Sequence, residues 1–179
     1  MNDELRNRRS IRLSHFDYRS PMAYFVTVCS HGKRCVFGEI VDGFMMKNPL
    51  GDVVEEEWLR TAELRPHVEL DAAVVMPNHF HGILLFTNAE EGTARHAPTA
   101  RAFAQAVPNS LASVVGSFKS AASRRINELR GTPGEPVWQR NYYEHVIRDE
   151  RDLEQVREYI LNNPARWDLD RENPACTVP

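Results

Sequence analysis

Cysteine is scarce in this chain, and the three residues present, Cys29, Cys35 and Cys176, form no CxxC pair. An odd count with no paired spacing argues against a disulfide framework and makes a reducing cytoplasm the simplest setting. Long apolar runs are also missing. The stretch Ala72 to Met76 stops far short of the ~18 residues a membrane span needs, and the first twenty residues are polar and Arg-rich, so neither a span nor a secretory signal is expected. No GxxxxGK[ST] phosphate loop occurs, which argues against nucleotide-driven work. Excess positive charge is lacking too: 22 Lys and Arg stand against 25 Asp and Glu, a net charge of -3. That sum does not advertise a nucleic-acid binder, but phosphate affinity depends on clusters rather than on totals.

Such clusters are present. Arg6, Arg8, Arg9, Arg12 and Arg19 crowd the N-terminus, Lys119, Arg124, Arg125 and Arg130 lie along one later segment, and Glu55 to Glu57 load acid elsewhere. Local basic patches coexist with an acidic average, although ordinary solvated surface has the same composition. At 179 residues the chain suits one compact domain, with residues 1–20 as a basic arm and 168–179 as a C-terminal tail.

Residues 24–29 (YFVTVC) are aromatic and β-branched and predict a buried strand, followed by a hairpin at Asp42-Gly43. Asn48 and Pro49 supply a cap and a pre-set first helical residue, and Leu50, Val53, Val54, Trp58 and Ala62 then recur at helical spacing up to Pro66. Residues 68–76 and 79–86 read as two strands hinged at Pro77-Asn78. Residues 87–109 are rich in Ala, Thr and Pro with no period; a loop of this length is functional or mobile, and it reads as an insertion. A second helix over 110–129 places Leu111, Val115, Phe118, Ala122, Ile126 and Leu129 on one stripe. Residues 137–147 alternate as a strand, and Asp149 with Asp152 resembles a capping box opening a third helix that Pro164 closes. This order predicts an α+β, ferredoxin-like two-layer domain with an antiparallel central sheet and helices packed on one face.

The sharpest local feature is His79-Phe80-His81. Side chains at i and i+2 of a strand share a face, roughly 6.5 to 7 Å apart along the chain, so both imidazoles can grip one cation while Phe80 anchors the other face. Gly82 permits a close approach by another element. The same pattern also fits two polar residues on an edge strand, and HxH alone does not choose. In the third helix Tyr159 and Asn163 stand at i and i+4 on a common face, so a phenol and a carboxamide oxygen can turn to the same ion. Tyr159 fits equally the amphipathic edge of the stripe Leu153, Val156, Ile160.

Residues 73–85 (AVVMPNHFHGILL) resemble the HUH motif of single-tyrosine transposases. Residues 137–167 (VWQRNYYEHVIRDERDLEQVREYILNNPARW) resemble the C-terminal segment of the same family, and the likeness is closest to the REP-associated tyrosine transposases. It covers the chain roughly from Tyr24 to Trp167. The resemblance implies that His79 and His81 ligate a divalent ion, that Asn163 supplies a third ligand where relatives carry Asn or Gln, and that Tyr159 is the nucleophile. Tyr142 and Tyr143 are rival tyrosines, but they are expected on a strand and lack an amide four residues on, so stacking or packing is their preferred role. His145 and Arg148 fall within the matching segment without an assignable role.

A tyrosine of pKa near 10 is only about 0.1% phenolate at neutral pH, and a phosphodiester repels nucleophiles. A bound cation relieves both difficulties. Mg²⁺ or Mn²⁺ suits the family chemistry, while two imidazoles also accept Zn²⁺ or Ni²⁺. The implied reaction cuts single-stranded DNA beside a hairpin, leaving a 5′-phosphotyrosine and a 3′-hydroxyl. Guidance of the strand is expected from Arg8, Arg9 and Arg12, from Lys119, Arg124 and Arg125, and from Trp138, Tyr142 and Arg148. Solvated charge for the helix face and core packing for Trp138 are the competing readings. A non-cutting DNA or RNA binding module derived from a transposase, and a metal-dependent phosphodiesterase that activates water, are the alternative functions. Members of the family act as monomers or as homodimers, and the residues do not distinguish these.

Overall fold

The structure is a computed structural model that describes residues 22–87 and 110–175. Its elements are β1 (Ala23–Cys29), β2 (Gly38–Val41), β3 (Phe44–Lys47), α1 (Pro49–Glu63), β4 (Val68–Val75), β5 (His79–Phe86), α2 (Leu111–Arg130), β6 (Tyr143–Ile147) and α3 (Glu150–Asn162). Short 3-10 turns occupy His31–Lys33 and Pro164–Leu169. The basic arm with Arg8, Arg9 and Arg12, and all but the first residue of the 87–109 segment, lie outside the described residues. Among the described residues no helix is long and apolar enough to cross a membrane.

Local chemistry accounts for the boundaries. Asp42 and Gly43 carry the two positive φ angles, 50° and 80°, that a tight two-residue hairpin between β2 and β3 requires. Asn48 caps α1, its Oδ1 accepting from the backbone N–H groups of Leu50 and Gly51 at 2.9 and 3.1 Å, with Pro49 as the first helical residue. Ser110 and Asp149 cap α2 and α3 in the same way, and Gly131 in the left-handed region ends α2.

Four strands form one antiparallel sheet in the order β4-β5-β1-β6, with the β2–β3 hairpin apart. Leaving the hairpin aside, the chain runs β-α-β-β-α-β. α1 carries it from β1 to β4 past β5, and α2 carries it from β5 to β6 past β1, which is the ferredoxin-like arrangement. α1 and α2 cover one face as expected. Tyr24, Val26 and Val28 of β1 and Phe80, Leu84 and Phe86 of β5 pack there against Val53, Val54 and Trp58 of α1 and Val114, Val115, Phe118, Ala122 and Ile126 of α2. α3 departs from that layer. It lies on the opposite face, where Leu153 and Ile160 meet Phe25, Ile83 and Ile147 in a smaller core.

Two local expectations change. The strand predicted over 137–147 is reduced to Tyr143–Ile147 plus a single bridge between Ser30 and Trp138. Upstream, side-chain anchors supplement the two backbone bonds of that bridge: Lys119 Nζ donates to the carbonyls of Gln139 and Arg140 at 2.8 and 3.0 Å, and Trp138 Nε1 donates to Lys119 O at 3.2 Å. Leu129 is 60% exposed and leaves the α2 stripe. Asn127 takes the buried position in that last turn, donating to Glu135 O at 2.8 Å.

Gly82 marks the closest approach of helix to sheet. A Cβ there would stand 2.5 Å from Trp58 Cζ2, a fully buried ring, whereas a Cβ at Gly116 in α2 meets nothing within 4 Å among the described residues. Gly82→Ala is therefore expected to destabilise the fold by about 1–3 kcal/mol through overpacking. Gly116→Ala should stabilise it by about 0.5–1 kcal/mol through helix propensity. Urea unfolding of the two variants checks both signs.

Candidate active site

The alternation of β5 turns Phe80, Gly82 and Leu84 toward α1 and α2, and His79, His81 and Ile83 toward α3. Both imidazoles are buried, and their Nε2 atoms lie 3.0 Å apart. The orientation of His79 is set from behind. Asn78 Nδ2 donates to the carbonyls of Lys33 and Glu172 at 3.1 and 2.6 Å, which leaves its Oδ1 to accept from His79 Nδ1 at 2.8 Å. The neutral ring then presents a lone pair at Nε2. His81 Nδ1 lies 2.8 Å from the hydroxyl of Thr27, its cross-strand partner on β1. Burial lowers the pKa of both rings; His79 further depresses His81, while the charges of Asp170 and Glu172 partly oppose the shift at His79. Two neutral imidazoles with facing nitrogens result; in the tautomer in which His81 Nδ1–H donates to Thr27 Oγ1, both Nε2 atoms carry lone pairs that a shared cation would reconcile.

α3 brings in the phenol. Tyr159 Oη is 3.4 Å from His81 Nε2, and its ring stands edge-on to Phe25 at 5.9 Å. The side chain is 45% exposed, so the hydroxyl faces the histidines while the ring remains open to solvent. Burial and then the Asp170 carboxylate raise its pKa, so the arrangement opposes phenolate unless positive charge is supplied. Asn163, which caps α3, is buried beside His79 and Tyr159. Its Oδ1 has no hydrogen-bond partner among the described residues. An orphaned buried carbonyl costs about 1–3 kcal/mol, and a cation between it and the imidazoles would satisfy it.

One participant was not legible in the sequence. Asp170, assigned there to a tail, follows the 3-10 turn and places Oδ2 3.9 Å from His79 Nε2 with its side chain 5% exposed. Ligand atoms of His79, His81 and Asp170 all fall within 4.8 Å of one another. Its placement is held by local bonds: Asp170 Oδ1 accepts from Glu172 N at 2.7 Å, and Glu172 in turn pairs with Lys33 at 2.9 Å and accepts from Cys29 Sγ at 3.4 Å. Burial, followed by the charge of Glu172, pushes the Cys29 thiol up to about 12, so it stays protonated. No spacing rule distinguishes Asp170 from the chain's other acids. The donor set, two imidazole nitrogens, an amide oxygen and a carboxylate oxygen, fits a divalent ion, and 3.0 Å between nitrogens matches an octahedral edge for bonds of about 2.1 Å.

α3 is clamped on both sides. A β-bulge between Leu70 and Ala73 turns out Asp71, which takes two bonds from Arg157, at 2.9 and 2.6 Å. At the helix start His145 Nε2 is 3.0 Å from both oxygens of Asp152, and Oδ2 also accepts from Arg148 N at 3.1 Å. Asp152 thus turns to the preceding strand instead of closing the capping box that its spacing suggested.

The residues expected to guide a strand divide. Trp138 is 7% exposed and packs on Phe37 and Phe118 at 5.0 and 6.0 Å, so its face is core and offers no stacking surface. Tyr142 is half-buried against the core under α1 and α2, away from the histidines. Lys119 is spent on backbone carbonyls, and Arg125 pairs with Glu56 and Glu57 at 2.5 and 2.8 Å. Arg124 and Arg148 are exposed.

Comparison with known proteins bears on the fold and the family. No family profile matches the chain. One solved structure, a REP-associated tyrosine transposase bound to a REP hairpin, superposes with a TM-score of 0.59 at 18% identity, covering 88% of this chain and 74% of the other. With its antiparallel sheet and buried HxH pair, the chain has the fold of the REP-associated tyrosine transposases of the HUH family. It is 39% identical over 176 residues, 95% of both chains, to an uncharacterized protein of Haemophilus influenzae, and it belongs to that protein's family. A second H. influenzae protein, named as a candidate REP-associated tyrosine transposase, is 28% identical over 125 residues, 67% of this chain and 64% of the relative.

The Arg157 guanidinium holds the Asp71 carboxyl below its ordinary range. Stability from a depressed carboxyl is complete above its unfolded pKa of about 3.9 and is lost as pH falls through the folded value. Arg157→Ala is expected to lower Tm at pH 7, with the difference from wild type shrinking below about pH 4. Thermal denaturation at pH 7 and pH 3 checks this.

Proposed function

We propose that the chain is a metal-dependent, transposase-like strand transferase that cuts and rejoins single-stranded DNA beside a hairpin, with Tyr159 as nucleophile. The observation that carries this reading is the approach of the Tyr159 hydroxyl to within 3.4 Å of His81 Nε2, in a site where two imidazole nitrogens converge near a buried, unpaired carbonyl. His79, His81 and Asn163 would hold the ion, with Asp170 as an additional oxygen donor. A divalent ion bound there, Mg²⁺ or Mn²⁺ by the family resemblance although two imidazoles also accept Zn²⁺ or Ni²⁺, would polarise the scissile phosphoryl group and stabilise its developing charge.

The chain's own groups do the remainder. Asn78 and Thr27 hold the two rings so that their Nε2 atoms face one point. Asp71 and His145 hold α3 so that Tyr159 reaches that point from the same chain, which supports action by a monomer. Tyr159 Oη bonds to phosphorus and gives up its proton, the bond from phosphorus to the 3′-oxygen breaks, and that oxygen takes a proton. One phosphodiester is exchanged for another, so a second 3′-hydroxyl can reverse the step and join a new strand. The hairpin as substrate is supported by the DNA in the superposed transposase structure. Exposed Arg124 and Arg148 are available for phosphates; Arg8, Arg9 and Arg12 keep that role as a proposal from sequence.

Incubation with hairpin-bearing single-stranded DNA and Mn²⁺ is expected to give a protein–DNA adduct that survives denaturant. Tyr159→Phe should reduce it by at least about 1,000-fold, while Tyr142→Phe should leave it unchanged. Hydrolysed DNA without an adduct would instead identify a phosphodiesterase, and binding without reaction a non-cutting module. Separately, Mn²⁺ at 100 times its Kd should add about 2.7 kcal/mol of stability, an increment lost in His81→Ala. Thermal shift against Mn²⁺ concentration measures it.

A further inference from the structure

Along β6 the residues facing α3 are Tyr143, His145 and Ile147, opposite Thr27, Phe25 and Ala23 of β1. Two of the three have structural duties: Ile147 is buried in the core beneath α3, and His145 holds Asp152. Tyr143 has no such duty. It belongs to neither core, is 50% exposed, and stands on the edge strand with its ring 6.3 Å from Phe25. Phe25 is 7% exposed and also contacts the rings of Tyr159 and His81, at 5.9 and 5.2 Å. A buried phenylalanine thus forms the floor between two half-exposed tyrosines, one of which is the proposed nucleophile.

We propose that Tyr143 is a positioning residue, a platform on which a nucleobase flanking the scissile phosphate stacks while Tyr159 attacks. The inference rests on the strand-transfer reading and deepens it. A phosphate in reach of the Tyr159 hydroxyl carries its nucleosides within one nucleotide's length, and the aromatic surface continuous with that hydroxyl runs over Phe25 to Tyr143. Every base has a π-face, so such a platform holds an unpaired strand without reading its sequence. It also narrows to Tyr143 the stacking role that the sequence left open for Tyr142 and Tyr143, since Tyr142 packs against the core under α1 and α2.

The test uses hairpin-bearing single-stranded DNA with 2-aminopurine at each position beside the hairpin in turn, bound to full-length protein in a Tyr159→Phe background so that no turnover occurs. Quenching is expected at one position next to the cut, retained with Tyr143→Phe and relieved with Tyr143→Ala. In the otherwise wild-type protein, Tyr143→Ala should lower kcat/KM for adduct formation by about 5- to 150-fold, with Tyr143→Phe restoring it. Circular dichroism should show both variants folded, as befits a half-exposed edge position. Quenching that is absent or indifferent to Tyr143→Ala overturns the proposal, as does Tyr143→Phe being as impaired as Tyr143→Ala. Failure of the wild type to form an adduct would overturn the strand-transfer reading instead, since the fluorescence does not depend on turnover.

Discussion

The site depends on one constraint: β5 is an interior strand whose two faces are both covered. Flanked by β1 and β4, it cannot slip by a residue without carrying Phe80, Leu84 and Phe86 out of one core and the histidine pair into it. Apolar packing on the far side of the sheet therefore sets the face that His79 and His81 share, and Asn78 and Thr27 orient the rings so that their Nε2 atoms meet at 3.0 Å. Gly82 makes this possible, because it lets Trp58 press against the strand between the two anchoring side chains.

α3 meets a different problem. It carries the candidate nucleophile, yet the apolar core beneath it is small, built around Phe25, Ile83, Ile147, Leu153 and Ile160. Polar clamps supplement that core, with Arg157 on the bulged Asp71 at one side and Asp152 on His145 at the other. Both aspartates have pKa values below the ordinary carboxyl, the first through Arg157 and the second through His145 and the Arg148 backbone. Anchoring through charged groups leaves the face beside Tyr159 free of bulky apolar cover, and the ring remains 45% exposed.

Electrostatics in the site call for a cation, which the proposed chemistry also needs. The two imidazole nitrogens face each other at close range, burial and then the Asp170 carboxylate raise the Tyr159 pKa, and Asn163 Oδ1 is left unsatisfied. Each of these is a cost in isolation, and a single divalent charge would relieve all three. Glu172 and Lys33 close the rim by a salt bridge that ties the segment after α3 back to the start of the domain.

Elements whose signals are local were legible without coordinates. The Asp42-Gly43 turn, the Asn48-Pro49 start of α1, the two hinged central strands and the Asp149 cap depend on neighbours within a few residues, where backbone preference and alternation decide the outcome. Leu129 and the 137–142 segment misled because competition for burial is settled across the fold: Asn127 and Lys119 found distant carbonyl partners that no periodicity encodes. Likewise the pattern HxH establishes that two imidazoles share a face, and Tyr159 with Asn163 that a phenol and an amide do. Their meeting, the arrival of Asp170 from the segment after α3, and the choice of Tyr143 over Tyr142 as the ring on the site's side were decided by tertiary structure alone. Short-range geometry fixes which way a side chain points along its own element, but which residues it faces follows from how sheet, bulge and helix pack.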